Sequence, residues 1–175
     1  MKKNLNDIVF FASNEGGHFS QLMALKELFV KFDTVIVTDN ERASTDIPAL
    51  KSVKAIEFAL GDVNMRKKLT NSKKKNITRW DYIPGYIELF KDCFKICRKY
   101  RPKVIVSTGS DIAVPLFLWG KLHGAKTVFI ETRAKVYGKT VTGKLVTPIA
   151  DKLIVQWPEM VNVYNGKGEY YGTLV

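Results

Sequence analysis

Residue types that bind metals are scarce in this chain. Its 175 residues include only two cysteines, Cys93 and Cys97, and two histidines, His18 and His123. The cysteines stand one helical turn apart, and neither has a set of partners that would suit zinc. This scarcity predicts a reduced, cytosolic protein without disulfide bonds and without a bound metal ion.

Long apolar runs are also missing. No stretch approaches the roughly 20 residues that a membrane-spanning helix needs. The basic start, MKKNLND, precedes an apolar stretch that is too short for a signal peptide and that breaks at SNEGG. We therefore expect the chain to stay in the cytoplasm and to bind a membrane only peripherally, at its surface.

Acidic residues are outnumbered by basic ones. The chain has 17 aspartate and glutamate residues against 28 lysine and arginine residues, which gives a net charge of +11. Such a charge implies an anionic partner: an acidic membrane surface, a nucleic acid or a phosphorylated ligand. The length favours one domain, 1–175, with enough buried surface to fold alone.

Apolar runs alternate with helical patterns along the chain. The runs that predict strands are IVFFAS, TVIVTD, VKAIEFA, RPKVIVSTG, KTVFIET and DKLIVQW. Helical patterns cover 19–32, 82–100, 111–124 and 158–165, and Asp111 is the expected N-cap of the third. The first strand is apolar throughout, so it should be buried on both faces. The pattern predicts an α/β fold with a parallel sheet and helices on both faces.

The first strand leads into a glycine turn, SNEGGHF. Gly16 and Gly17 would let the backbone approach a phosphate, and His18 would donate to a phosphate oxygen or move a proton. The alternative is a tight turn that binds no ligand. The dinucleotide fingerprint G-x-G-x-x-G is absent, although Asp39 follows the second strand near the position of a ribose-binding acid.

Two further polar clusters follow predicted strands, which is where parallel sheets bind ligands. The first comprises Ser107, Thr108, Gly109, Ser110 and Asp111. This cluster would hold a sugar or a phosphate, or it would only cap the next helix. The second is centred on Glu131, whose carboxylate would bind a sugar hydroxyl or act as a base, unless it merely pairs with Arg133 at the surface.

The most basic segment is 65–80. Its cations and the aromatic residue that follows them are Arg66, Lys67, Lys68, Lys73, Lys74, Lys75, Arg79 and Trp80. Clustered cations beside an interfacial aromatic residue favour an anionic membrane surface over a merely solvated run. We therefore predict a basic surface loop that binds membranes.

The helix predicted over 82–100 has one apolar side. That side carries Ile83, Tyr86, Ile87, Phe90, Phe94 and Cys97. A basic amphipathic helix of this kind lies on a bilayer or packs its apolar side on the sheet. For the helix taken alone, we expect the second arrangement.

The order of several motifs resembles a known family. The motifs are NEGGHFSQLMAL, STGSDIAVPL, FIET, TGKLVTPIADKLIVQWPE and YYGTLV. Together they resemble the acceptor-side subunit of the split UDP-N-acetylglucosamine transferase that extends dolichyl-diphosphate-GlcNAc. They are also similar to bacterial relatives that assist capsular and exopolysaccharide glycosyltransferases. The resemblance runs from about residue 8 to the end of the chain.

The resemblance implies a fold and a setting. The fold would be the Rossmann-like N-terminal half of a GT-B glycosyltransferase. A separate catalytic subunit would bind the UDP-sugar donor, so this chain needs no cofactor of its own. The chain would bind a polyprenyl-diphosphate-linked sugar at the inner face of the plasma membrane as a peripheral protein.

The resemblance also implies roles for individual residues. His18 and Glu131 match positions that would be catalytic. The acceptor diphosphate and sugar would be bound by Asn14, Gly16, Gly17, His18, Ser107, Thr108, Gly109, Ser110, Arg133 and Lys135. The catalytic subunit would dock on Trp157, Glu159, Tyr171 and Leu174.

The sequence therefore favours an acceptor-side accessory subunit of a two-chain glycosyltransferase in polysaccharide biosynthesis. One alternative is a self-sufficient nucleotide-sugar enzyme, which the missing fingerprint disfavours. The other is a nucleic-acid-binding module, but no recognition motif accompanies the charge, so we expect no nucleic-acid partner.

Overall fold

A parallel sheet lies at the centre of the computed structural model, which describes residues 7–71, 76 and 78–174. Across the described residues the strands are β1 Ile8–Ser13, β2 Asp33–Thr38, β3 Ala55–Phe58, β4 Val104–Gly109, β5 Lys126–Ile130, β6 Lys152–Val155 and β7 Gly168–Tyr170. Their order in the sheet is β3-β2-β1-β4-β5-β6-β7, and every neighbouring pair is parallel. The predicted parallel α/β sheet is confirmed.

Helices connect these strands. They are α1 Gly17–Met23, α2 Lys26–Phe29, α3 Gly61–Thr70, α4 Ile83–Tyr100, α5 Ala113–Leu122, α6 Val141–Val146 and α7 Glu159–Val163, with short 3₁₀ turns at Pro48–Leu50 and Arg79–Tyr82. The helical pattern predicted over 19–32 is therefore two helices. The Leu25 amide bonds to the Leu22 carbonyl at 3.0 Å, where α1 ends, and Leu22 and Phe29 lie in the same core cluster.

Two hydrophobic clusters cover the two faces of the sheet. Phe10 lies in the cluster beneath α4, α5 and α7, and Phe11 lies in the cluster beneath α1 and α2. Both side chains are at most 1% exposed. Because neighbouring residues of a strand point to opposite faces, an unbroken apolar run is what a doubly covered strand requires.

The direction in which successive strands are added to the sheet changes between β1 and β4. From β1 the sheet grows outward through β2 and β3, and the chain then returns to place β4 on the other side of β1. The Asn14 amide donates to the Gly109 carbonyl at 3.0 Å, which joins the ends of these two strands. In open α/β sheets, ligands bind in the crevice at such a switch point.

The predicted basic surface loop is wrong in its first part. Residues 65–70 belong to α3, and residues 79–82 form a 3₁₀ turn. A Cβ atom added at Gly61 would overlap the backbone at Leu89, and one added at Gly85 would lie 2.6 Å from the Cβ of Met65. This close packing of α3 on α4 stabilises a helix whose own sequence has little helical periodicity. Lys73, Lys74 and Lys75 lie outside the described residues.

Candidate functional site

Asn14 joins three strand ends at the switch point. Its Nδ2 donates to Asp39 at 2.7 Å, and its Oδ1 accepts the amides of Ser110 at 2.8 Å and Ile112 at 3.3 Å. Asp39 also accepts the amide of Glu15. These bonds give Asn14 and Asp39 a structural role in holding the glycine turn beside the end of β4.

His18 is held by a reciprocal pair of bonds to the end of β4. Its Nδ1 donates to the Thr108 carbonyl at 2.7 Å, and the Thr108 hydroxyl donates to the His18 carbonyl at 2.9 Å. A carbonyl only accepts, so the Nδ1 atom must carry the proton. In the neutral ring, Nε2 then carries the lone pair and is able to accept a proton.

Three glycines near His18 have different reasons to be glycine. Gly109 has a φ of +99°, and a Cβ atom there would lie 3.0 Å from the His18 ring. Gly16 has a φ of +87°, so the backbone conformation of the turn is sufficient reason for glycine there. Gly17 has no positive φ, and a Cβ atom there would meet no described atom within 4 Å. The fold therefore gives no reason for glycine at position 17, whereas close approach of a ligand would.

Two cavities flank His18. The larger has a volume of about 520 Å³ and is lined by Gly17, His18, Ser20, Gln21, Thr132, Arg133, Ala134 and Leu174. The smaller, of about 180 Å³, is lined by His18, Gly109, Ser110, Asp111, Phe129, Glu131, Thr140, Val141 and Thr142. The fold thus brings most of the predicted acceptor-binding residues to one edge of the sheet. Lys135 is exposed and lines neither cavity.

Ser107 and Thr108 do not suit the predicted contact with an acceptor. Both are at most 1% exposed. The Ser107 hydroxyl accepts the amide of Gly109 at 3.1 Å, and Thr108 holds His18. Their burial gives them a structural role instead. Asp111 is not the predicted helix cap either, because Ile112 occupies the N-cap position of α5 and Asp111 accepts a hydrogen bond from Arg66 at 3.0 Å.

Glu131 is buried, with 1% of its surface exposed. Its carboxylate accepts the amide of Thr132 at 2.9 Å, the hydroxyl of Thr140 at 3.0 Å and the hydroxyl of Tyr164. Burial raises the pKa of Tyr164, and the hydrogen bond to Glu131 raises that pKa further. With its oxygens occupied by these donors, Glu131 orients the loop from Thr132 to Thr140.

Two glutamines were missed by the sequence analysis. Gln21 lines the larger cavity, and Gln156 is 1% exposed directly after β6. Their side chains hydrogen-bond to each other. Gln156 could have been found from its position, because it is a polar residue that immediately follows a buried apolar strand.

The residues predicted to dock the partner subunit fall into two groups. Trp157 donates its Nε1 hydrogen to the Arg133 carbonyl at 2.7 Å, and Leu174 lines the larger cavity. Glu159 and Tyr171 are exposed on the surface. Leu174 therefore lies at the cavity, and Trp157 holds Arg133, which also lines it.

The predicted membrane-binding cations are partly engaged with acids. Arg66 pairs with Asp111 at 3.0 Å, and Lys67 pairs with Glu41. Lys68 is exposed, and Trp80 is 78% exposed.

The expected packing of α4 is wrong. Its buried residues are Gly85, Leu89, Cys93, Ile96 and Cys97. Of the side that we expected to pack on the sheet, Cys97 is buried as predicted. The rest of that side lines a groove of about 390 Å³ with α5, formed by Ile83, Tyr86, Ile87, Phe90, Lys91, Phe94 and Trp119. The helix has two apolar stripes, and the one with smaller side chains faces the sheet. Ile87 is 51% exposed.

The thiols and the acidic groups offer little further chemistry. Burial raises the pKa of Cys93 and raises that of Cys97 to about 12, so both thiols are protonated and unreactive at neutral pH. Within the described ranges, no group of three or more histidine, cysteine, aspartate or glutamate side chains is placed to hold a metal ion. Among the described helices, none is both long enough and apolar enough to cross a bilayer.

The sheet order and the crevice at its switch point define a Rossmann-like domain of the GT-B type. The fold is similar to that of MurG from Acinetobacter baumannii, with a TM-score of 0.63 and 11% identity over 87% of this chain. It is also similar to UDP-N-acetylglucosamine 2-epimerase from Rickettsia bellii, with a TM-score of 0.65 and 9% identity over 95% of this chain. The chain spans 42% and 45% of those two chains, respectively.

The chain belongs to the Alg14 family. Residues 8–174 match the family model described as "Oligosaccharide biosynthesis protein Alg14 like". The UDP-N-acetylglucosamine transferase subunit ALG14 of Yarrowia lipolytica is 25% identical over 99% of this chain and 83% of its own length. The corresponding subunit of Candida albicans is 40% identical over 44% of this chain and 37% of its own length. The resemblance to the acceptor-side subunit is confirmed.

Proposed function

We propose that this chain is the acceptor-side accessory subunit of a two-chain glycosyltransferase. It binds a polyprenyl-diphosphate-linked sugar and recruits a separate catalytic subunit that holds the UDP-sugar. The observation that carries this proposal is the family match over residues 8–174, with relatives named as UDP-N-acetylglucosamine transferase subunits. UDP-N-acetylglucosamine is therefore the first donor to test. These relatives are fungal, and the capsular or exopolysaccharide setting stays a prediction.

The larger cavity supports binding of the acceptor's polar head. Its volume of about 520 Å³ lies in the range of sites for small ligands. Gly17 leaves room for a diphosphate to approach the backbone, and the exposed Arg133 offers a guanidinium group that suits phosphate oxygens. The smaller cavity carries hydroxyl groups, among them those of Ser110 and Thr140, that suit a sugar.

His18 is the residue best placed for proton transfer. Its Nδ1 is held by the Thr108 carbonyl, and its ring lines both cavities. In the proposed reaction, Nε2 takes the proton of the attacking acceptor hydroxyl while UDP leaves the donor sugar on the catalytic subunit. Glu131 acts by holding the loop that carries Arg133, since its carboxylate is occupied by other donors.

The apolar groove supports peripheral attachment to a membrane. Tyr100, at the end of α4, lies four residues before the first residue of β4, so the start of α4 lies at the carboxyl edge of the sheet. Ile83 and Ile87 are therefore at the same edge as the two cavities. With Lys91 and the exposed Trp80, they would enter the interface of an anionic bilayer at its cytoplasmic face.

A transfer assay tests the proposed function. This chain, alone or with a candidate donor-binding subunit, is incubated with labelled UDP-N-acetylglucosamine and membranes that carry a polyprenyl-diphosphate-linked sugar. We expect transfer only when both chains are present. His18→Ala should lower the rate by about a hundredfold or more, whereas His123→Ala, at an exposed histidine after α5, should leave it unchanged. Transfer by this chain alone, or a full rate for His18→Ala, would overturn the proposal.

A further inference from the structure

The wall of the larger cavity comes from three segments that are far apart in the sequence. Gly17 and Gln21 belong to α1, Arg133 to the loop after β5, and Leu174 to the end of the described chain. Each segment is held by a hydrogen bond to one of two glutamines. The shape of the cavity therefore depends on how these two side chains are bonded.

Gln156 is the link to the last two described residues, 173 and 174, which are called the terminal segment here. Its Oε1 accepts the amide of Leu174 at 2.8 Å, and its Nε2 donates to the Glu131 carbonyl at 2.9 Å and to Gln21 Oε1 at 2.5 Å. A backbone amide only donates and a backbone carbonyl only accepts, so the orientation of this amide group is determined. The side chain is 1% exposed, and losing the Leu174 amide would leave the buried Oε1 without its hydrogen-bond donor.

Gln21 continues the link into the cavity wall. Its Oε1 accepts the amide of Arg133 at 3.1 Å, and its Nε2 donates to the Gly17 carbonyl and to the Thr132 hydroxyl, both at 3.2 Å. Because Gln156 Nε2 donates, the Gln21 atom that faces it must be the oxygen, and the orientation of the Gln21 amide group is determined as well. The amide of Leu174 is thus connected to Gly17 and Arg133 through two side chains.

The neighbours of Gln156 strengthen both ends of this connection. The Thr173 hydroxyl donates to the Gln156 carbonyl at 2.7 Å, which fastens the terminal segment a second time. Trp157 donates to the Arg133 carbonyl at 2.7 Å, which fastens the loop a second time. Residues 156 and 157 therefore bind the terminal segment and the loop after β5 together.

We propose that Gln156 is a positioning residue that couples docking of the terminal segment, residues 173 and 174, to the geometry of the cavity beside His18. The inference rests on the proposed function, in which that cavity takes the acceptor. When the segment is docked, Gln156 and Gln21 hold Gly17 and Arg133 in place. When it is displaced, the buried amide of Gln156 loses a donor and the loop loosens. A partner that binds the segment therefore changes the affinity for the acceptor, and the acceptor changes the affinity for that partner by the same factor.

Amide hydrogen exchange in the intact, free chain tests the coupling. In Gln156→Glu, the carboxylate still accepts from Leu174 but no longer donates to Gln21 or to the Glu131 carbonyl. The Arg133 amide should therefore exchange about tenfold faster. Thr173→Val, which removes only the hydroxyl at the far end, should speed the same amide by a smaller factor. Asn162→Asp makes the same amide-to-acid change at an exposed site and should leave Arg133 unchanged.

The Phe10 amide in the centre of the sheet reports whether a variant is folded. If Gln156→Glu exposes that amide as well, Thr173→Val and deletion of residues 173–175 take its place. Faster exchange at Arg133 with the Phe10 amide still protected supports the coupling. Unchanged exchange at Arg133 in every folded variant overturns it, whatever the activity.

Steady-state kinetics in the two-chain transfer assay separates this inference from the proposed function. Positioning predicts a KM for the acceptor about tenfold higher in Gln156→Glu with kcat largely kept, whereas simple loss of folded protein lowers kcat and leaves KM. Faster exchange at Arg133 without a change in KM would leave the coupling standing and would show that the cavity does not bind the acceptor.

Discussion

The hydroxyl of Tyr164 donates a hydrogen bond to the carboxylate of Glu131, and both side chains are 1% exposed. The bond joins the chain just after α7 to the end of β5. Gly143 permits this arrangement, because a Cβ atom there would overlap both the tyrosine hydroxyl and the carboxylate. A buried acid beside the candidate site is thus engaged in supporting the surrounding structure.

Removing the Tyr164 hydroxyl should destabilise the fold. In Tyr164→Phe, the buried Glu131 side chain loses a hydrogen-bond donor, so the free energy of unfolding should fall by about 1–3 kcal/mol. Urea denaturation followed by circular dichroism measures this change. The control is Tyr137→Phe, because Tyr137 is 84% exposed. Equal stability of the two variants would contradict the structural role assigned to the bond.

Replacing Gly109, which packs on the His18 ring, and Gly17, which precedes His18 in the sequence, by alanine should change stability by different amounts. Gly109→Ala places a Cβ atom against the His18 ring at a positive φ, so we expect a loss of about 1–3 kcal/mol in unfolding free energy. Gly17→Ala has neither problem and should change stability by less than about 0.5 kcal/mol. Its effect should appear as weaker acceptor binding in the transfer assay. A Gly17→Ala variant with wild-type kinetics would argue against a diphosphate at this turn.

A charge in the groove between α4 and α5 should weaken membrane binding. Ile87→Glu removes an apolar contact and adds repulsion, so co-sedimentation with phosphatidylglycerol vesicles should fall about tenfold or more. The control is Val30→Glu, since Val30 has a similar exposure, 55% against 51%, but lies next to α2 on the other face of the sheet. Equal binding of both variants would exclude the groove as the membrane-facing surface.

Asp151 should make stability depend on acid pH. Burial alone would raise its pKa, but hydrogen bonds from Lys121 and Thr127 outweigh burial and hold the pKa well below its usual range. The folded-state pKa therefore lies below the value of about 3.9 in an unfolded chain. Stability from this group is complete above about pH 5 and is lost as the pH falls through the folded-state pKa.

The variant Asp151→Asn should accordingly be less stable than the wild type at pH 7, by about 2 kcal/mol. The difference should shrink as the pH is lowered below about 4. Urea denaturation across this pH range gives both quantities. A difference that stays constant down to pH 2 would mean that the Asp151 carboxylate contributes no pH-dependent stability.

Strands and helices whose own sequence shows an apolar pattern were predictable. The strand Ile8–Ser13 has the predicted bounds because an unbroken apolar run of that length suits a buried parallel strand. The helix α6 was missed because its buried side includes Thr142 and Gly143 while Val141 and Leu145 are exposed, so its sequence shows no apolar helical pattern. Strand β7 was missed because Gly168–Tyr170 is short and contains a glycine and a charge.

The alternation of strands and helices and the position of the glycine turn after β1 were predictable from local sequence alone. These features depend on local periodicity and on backbone freedom, which neighbouring residues carry. The buried stripe of α4, the bond from Tyr164 to Glu131 and the bond between Gln156 and Gln21 follow only from how the folded chain packs. Those contacts join residues up to 135 positions apart, and the order of the strands in the sheet, not the local sequence, brings such residues together.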